Sequence, residues 1–179
     1  MSRAAFILAA AFVMASSGAA PAQESKLFQD FRPGSEEAIH VEADKLEVSE
    51  TAGERVSVFT GNVAVRRGDT VLKATTITIH SDAEAPASGK EAFNLIEAEG
   101  KVLITEKGQT ATGNSASFNM KTQVATISGN VVLSQGTNIL SGERLIVDLN
   151  SGTARVEQAP GGRIRGVFTP NAARTPEGE

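Results

Sequence analysis

The sequence predicts an all-β protein, a sandwich, barrel or solenoid, with a folded-over ladder of repeated antiparallel hairpins favoured over a flat sheet. Three observations carry that prediction. A 22-residue pattern occurs three times without internal gaps, from Gly61, Gly100 and Gly129. Within each copy apolar residues recur two apart, the period of a strand with one buried face. Helical periodicity is absent beyond the first two dozen residues. Self-similarity at this short spacing marks stacked hairpins whose faces are buried only by their neighbours.

Each copy opens with Gly-Asn/Lys-Val, as in Gly61-Asn62-Val63, Gly100-Lys101-Val102 and Gly129-Asn130-Val131. A polar turn follows, then Ala or Gly at the fourteenth position (Ala74, Gly113, Gly142) and apolar or small residues at the seventeenth and nineteenth (Ile77/Ile79, Ala116/Phe118, Leu145/Val147). Half of a fourth copy stands earlier, where Ala43-Asp44-Lys45-Leu46-Glu47-Val48 keeps the same register. A position restricted to Ala and Gly is where a strand bends or a neighbouring backbone comes close. The fourteenth position is therefore the expected corner between two sheets.

In chain order, Arg3 precedes an apolar run at residues 4–15, and Ala20-Pro21-Ala22 offers a small-residue cleavage site. Residues 1–22 read as a secretory signal peptide cleaved after Ala22, too short to span a bilayer, with a retained anchor as the alternative. Residues 23–38 are a polar leader containing Phe28, Phe31 and Pro33-Gly34. Ile39-His40-Val41-Glu42-Ala43 alternates and is the first strand, with Leu46 and Val48 continuing after a small-residue corner. Turns are expected at residues 51–54, at Arg67-Gly68-Asp69, Lys107-Gly108, Lys121-Thr122, Gln135-Gly136 and Asn150-Ser151-Gly152. Residues 81–90 read as a surface loop, because Gly61 and Gly100 lie 39 residues apart but Gly100 and Gly129 only 29. The folded domain is set at 39–168, with a disordered tail at 169–179.

Composition excludes several classes. The chain has 179 residues, a formal net charge of −4, no Cys, Tyr or Trp, and eight Phe. Nucleic acid is not an expected partner, since binding phosphates needs a clustered basic face. Aromatic platforms for sugars or bases lack material. An exported domain without cysteine relies on its core, which fits a bacterial periplasmic protein. His40 and His80 are the only histidines, so neither a metal site nor a catalytic residue is assigned, no cofactor is called for, and the chain is read as non-enzymatic. Asp69, Asp82 and Asp148 fall at turns or repeat ends, where carboxylates face water.

Alternation places Ile39, Val41, Phe59, Val63, Val65, Ile77, Ile79, Ile104, Phe118, Val131, Leu133, Leu145 and Val147 on the inner face. The same pattern describes a packed sandwich core and an apolar groove equally well.

The motifs Ile39-His40-Val41-Glu42-Ala43-Asp44, Phe59-Thr60-Gly61-Asn62-Val63 and Ile127-Ser128-Gly129-Asn130-Val131 resemble the OstA-like family, over residues 39–168. The resemblance implies an open antiparallel β-jelly roll, its two diverging sheets built from the repeated hairpins, and a role as a periplasmic lipopolysaccharide bridge. It implies lipid A held against the inner-face residues named above. It also implies head-to-tail self-assembly between an inner-membrane anchored OstA-like partner and an outer-membrane barrel partner. The edge strands that would pair are Ile39, His40, Val41 and Glu42 on one side and Arg163, Ile164, Arg165, Val167 and Phe168 on the other. Shielding is physically demanded, because exposing one ~14-carbon acyl chain to water costs roughly 10 kcal/mol. Arg66, Arg67, Lys73, Arg144, Arg163 and Arg165 are candidates for meeting lipid phosphates, although scattered surface charge accounts for each singly. The alternative function is a structural β-solenoid or oligomerisation module of the cell envelope that binds no lipid.

Overall fold

Ten strands make one antiparallel sheet in the computed structural model, which describes residues 37–84 and 93–169. The expected signal peptide, nearly all of the leader, most of the 81–90 loop and residues 170–179 lie outside the described residues. The strands are β1 (His40–Glu42), β2 (Lys45–Thr51), β3 (Glu54–Arg67), β4 (Thr70–Asp82), β5 (Leu95–Glu106), β6 (Gln109–Asn119), β7 (Val124–Gln135), β8 (Asn138–Asp148), β9 (Thr153–Glu157) and β10 (Arg165–Val167). From β3 to β8 every strand pairs with its successor. At one edge β1 and β2 share the two halves of β3; at the other, β10 and β9 share the two halves of β8. No described strand pairs the two edges to each other, so the sheet is open.

The long strands exceed the usual five or six residues because each is creased near its middle. Between β3 and β4, Thr60 pairs with Thr76 and Val63 with Ala74, so Gly61 and Asn62 stand against Thr75 alone. Gly100 and Lys101 of β5 stand likewise against Asn114, and Gly129 and Asn130 of β7 against Glu143. Both residues of each bulge have positive φ, 84° and 44° at Gly61 and Asn62, 78° and 52° at Gly100 and Lys101, and 82° and 49° at Gly129 and Asn130. Glycine takes that region freely and asparagine more readily than most residues, which explains the Gly-Asn opening of two of the three copies. A two-against-one bulge bends its strand, and three in line crease the sheet into two arms.

This revises the role of the fourteenth position. The bend is made by the first two residues of each copy, while Ala74, Gly113 and Gly142 are the small seats opposite Val63, Val102 and Val131. A Cβ on Gly113 would strike Ile127 and the Ser128 carbonyl, and one on Gly142 would strike Val156. The bulge glycines are covered from the preceding strand, Gly61 by Asp44, Gly100 by Thr75 and Gly129 by Asn114. The Asp44 N–H also donates to the Gly61 carbonyl at 3.1 Å, so the fragmentary fourth copy does at the edge what whole copies do inside.

One boundary differs from the sequence reading. Ser81 and Asp82 are the end of β4, because Ser81 continues that strand's buried face and its hydroxyl donates to the Arg55 carbonyl at 3.3 Å. Residues 153–157 form β9, the edge strand into which the expected turn at Asn150-Ser151-Gly152 leads.

Candidate functional site

Pairing carries inner side chains into rows that cross the strands. One row beside the crease passes from Leu46 through Phe59, Ile77, Ala98, Ala116, Ile127 and Leu145 to Val156. On the other side of the crease Val63, Ala74, Val102, Gly113, Val131 and Gly142 form the corresponding row. Both arms contribute to one apolar cluster, so their inner faces are turned toward the same interior.

Of the residues expected on the inner face, Val63, Val65, Ile77, Ile79, Ile104, Phe118, Val131, Leu145 and Val147 are buried. Ile39, Val41, Phe59 and Leu133 are half-buried and pack against the same cluster. The alternation therefore brings the whole set together. Through the middle of the roll these side chains fill the interior themselves, and Ile77, Ile104, Ile127 and Leu145 are 0% exposed. On the inner face, apolar side chains become exposed toward the two edges, where Leu46 and Val48 are 52% and 55% exposed and Phe168, beside Gly166, is exposed as well.

The basic residues do not converge on this interior. Arg66, Lys73, Arg144, Arg163 and Arg165 are exposed, whereas Arg67 is buried. Parity explains the exception, because Arg67 continues the inward sequence Val63, Val65. Glu106 likewise continues Val102 and Ile104, and Thr70 and Gln109 precede Leu72 and Ala111 on β4 and β6. All four lie at the hairpin end of one arm, with Arg67 9%, Thr70 0%, Glu106 1% and Gln109 5% exposed. The other arm's ends are mostly apolar, with Leu149 buried and Phe93 and Met120 packed on the core beside the buried Ser81. The interior thus has one polar lip and one mostly apolar lip. Sequence reasoning missed the polar one by treating residues beside turns as water-facing, although continued alternation marked them as inward.

The histidines stay apart. His40 is exposed on β1, and His80 lies outside the cluster, its Nδ1 2.9 Å from Glu54 and its Nε2 3.3 Å from Glu97. Those carboxylates address opposite sides of one ring and brace β3, β4 and β5 across the sheet. Asp148 has a turn-forming role, accepting the N–H groups of Asn150 at 2.9 Å and Ser151 at 3.1 Å. The Ser151 N–H contributes most to holding its carboxyl below the ordinary 3.8; desolvation opposes this, and the Asn150 N–H adds to it.

The fold has a counterpart among solved structures. LptH of Pseudomonas aeruginosa, described as the LptA-homologous periplasmic component of the conserved lipopolysaccharide transport device, superposes with a TM-score of 0.62 at 22% identity, over 75% of this chain and 97% of that one. An uncharacterised protein of Rhizobium meliloti (strain 1021) is 34% identical over 168 residues, covering 92% of this chain and 88% of its own length. The model for the LptA and LptD N-terminal domain of lipopolysaccharide transport proteins matches residues 40–153, from β1 to the start of β9. By that match, the chain belongs to the LptA-like, OstA family of lipopolysaccharide transport proteins.

Proposed function

We propose that this chain is a periplasmic, non-enzymatic lipopolysaccharide carrier that shields the acyl chains of lipid A between the arms of its creased sheet. The observation that carries the reading is the apolar row beside the crease, which runs without a polar interruption from the exposed Leu46 at one edge to Val156 at the other. Because the middle of each row is packed, acyl chains enter by parting the arms and replacing side-chain contacts with lipid contacts. The transfer energy per methylene is the same in either environment, so the exchange is nearly balanced. An open sheet hinged at a line of bulges suits that motion.

The finer reading is a bridge, with copies docked head to tail between an inner-membrane anchored relative and an outer-membrane barrel. Strand direction supports it. β1 and β2 run from the hairpin end of one arm through the crease to the other arm's tip, and β9 and β10 run the opposite way. A next copy placed with β1 and β2 beside β10 and β9 continues an antiparallel sheet and keeps the crease in line. Two identical edges brought together antiparallel would set the arm of one copy against the opposite arm of the other.

The test uses positions that are inward but incompletely buried. Phe59→Asp and Leu133→Asp should leave the circular dichroism spectrum of the fold intact and weaken binding of purified lipopolysaccharide at least about tenfold, as expected for a charge set into an apolar contact. Unchanged affinity in a folded variant would remove the carrier reading. A second reading, a structural envelope module that binds no lipid, draws on the filled interior. It predicts that the unmodified protein retains no lipid A by mass spectrometry after saturation and washing.

A further inference from the structure

The rows cross the sheet from edge to edge, so each residue of β1, and each of residues 45–49 of β2, shares a row with one residue of β10 or β9. Following the pairs gives an unexpected correspondence on the outer face. The row beginning at Glu42 and Ala64 ends at Ser141 and Arg165. The row beginning at Lys45 and Thr60 ends at Arg144 and Glu157, and that beginning at Glu47 and Val58 ends at Ile146 and Arg155. Acid meets base in all three. On the inner face, Leu46 shares its row with Val156 and Val48 with Ala154, so apolar residues meet apolar residues.

We infer that the two edges carry a charge code by which this chain selects a second copy of itself in one register, the one that continues every row across the junction. This rests on the reading of the edges as docking surfaces between copies and adds the register and the residues that fix it. The edges are oppositely charged. Residues 40–51 hold Glu42, Asp44, Glu47 and Glu50 against Lys45, and residues 153–167 hold Arg155, Arg163 and Arg165 against Glu157. A junction between like edges would crowd like charges, which opposes it.

Within the correct edge pair, the code also excludes slipped registers. A one-residue slip turns every side chain to the other face. A two-residue slip keeps the faces but sets Glu47 against Glu157 in one direction, or Lys45 against Arg155 in the other. In the single chain Lys45 turns to Glu47 at 2.8 Å, and Glu157 is shared between Arg155 of its own edge and Arg144 of β8, each at 3.9 Å. Lys45, Glu47 and Arg155 are well exposed and Glu157 is half-buried with its side chain 39% exposed, so the partner's charges can reach all four from solvent.

The experiment is self-association by analytical ultracentrifugation at low salt. Glu47→Arg alone and Arg155→Glu alone should each weaken association about tenfold, and a mixture of the two singly reversed chains should restore the one junction that joins the two altered edges. Raising the salt should weaken association of the unaltered chain. Because the chain has no cysteine, Ser49→Cys mixed with Thr153→Cys, which share a row, should give disulfide-linked dimers under oxidation, whereas Ser49→Cys mixed with Arg155→Cys should not. Association of the unaltered chain with no response to either reversal, or equal cross-linking in both mixtures, would overturn the register while leaving docking in place. An unaltered chain that stays monomeric at every concentration would overturn docking and the code together. Lipid binding is scored separately and is untouched by either result.

Discussion

Leu46 and Ile127 occupy the same row and face the same interior, yet one is half exposed and the other is sealed. The difference lies in what stands beside them. Ile127 has β6 and β8 on its two sides, whereas Leu46 on β2 has a neighbour only in β3. A repeated hairpin covers its apolar face with the next hairpin, so the first and last strands of the series are left uncovered. In this chain both ends present apolar side chains and unpaired backbone groups, the combination that invites strand addition. Centre and edge are built from one sequence pattern, and position in the series alone separates a stability residue from a docking residue.

That comparison is broken or sharpened by substitutions matched across it. The largest expected effect is at the centre. Ile127→Ala should cost about 2–5 kcal/mol in urea unfolding, while Leu46→Ala at protein concentrations too low for association should cost under about 1 kcal/mol. Equal losses would mean that the edge is packed in solution and that the contrast is false. The next effect compares two glycines of similar φ, Gly129 at 82° in the crease and Gly108 at 80° in a hairpin turn. Alanine at either carries the strain of a left-handed residue, about 1–2 kcal/mol. Only Gly129→Ala must also displace Asn114, whereas nothing lies within 4 Å of a Cβ at Gly108. Denaturant midpoints should therefore fall further for Gly129→Ala, and identical shifts would show that the crease yields without cost.

The smallest effect is at Asp148, which closes the turn into β9. Its carboxyl is held below the ordinary 3.8 in the folded chain. The stabilisation is present above the pKa of an unfolded aspartate and is lost as pH falls through the lower folded value. Stability of the unaltered chain should therefore drop in that acid range more than stability of Asp148→Asn, measured by urea unfolding between pH 5 and 2.5, with both held at one ionic strength (about 0.1 M). Parallel curves would show that the turn does not depend on the charge.

The strands and their inner faces were legible because Val63-Ala64-Val65 and its counterparts alternate cleanly and the turns are written in Gly, Asp and Asn. The crease was half legible. The spacing of three between Ala74 and Ile77 marks the change of parity, but the bend belongs to Gly61-Asn62 on the neighbouring strand, which only pairing reveals. Arg67 and Glu106 were obscured because charge beside a turn normally faces water. Here alternation runs on to the last residue of the strand and carries both inside. β9 was legible from the turn before it, Asn150-Ser151-Gly152, more than from its own residues, because an edge strand with one wet face needs few apolar residues, and Ala154 and Val156 suffice. The docking code was also in the sequence, but as isolated charges. It becomes a pattern only when six intervening strands align Glu47 with Arg155.

The bulges have a further consequence for how such a chain is able to change its length. They occur on β3, β5 and β7 and are missing from β4, β6 and β8, so the repeating element of the sheet is a pair of strands. Inserting or deleting one strand would bring two unbulged strands or two bulged strands together, and the crease would stop there. Growth and loss are therefore quantised. The interval from Gly100 to Gly129, 29 residues, is the smallest piece of chain that can be added or removed with the interior still aligned.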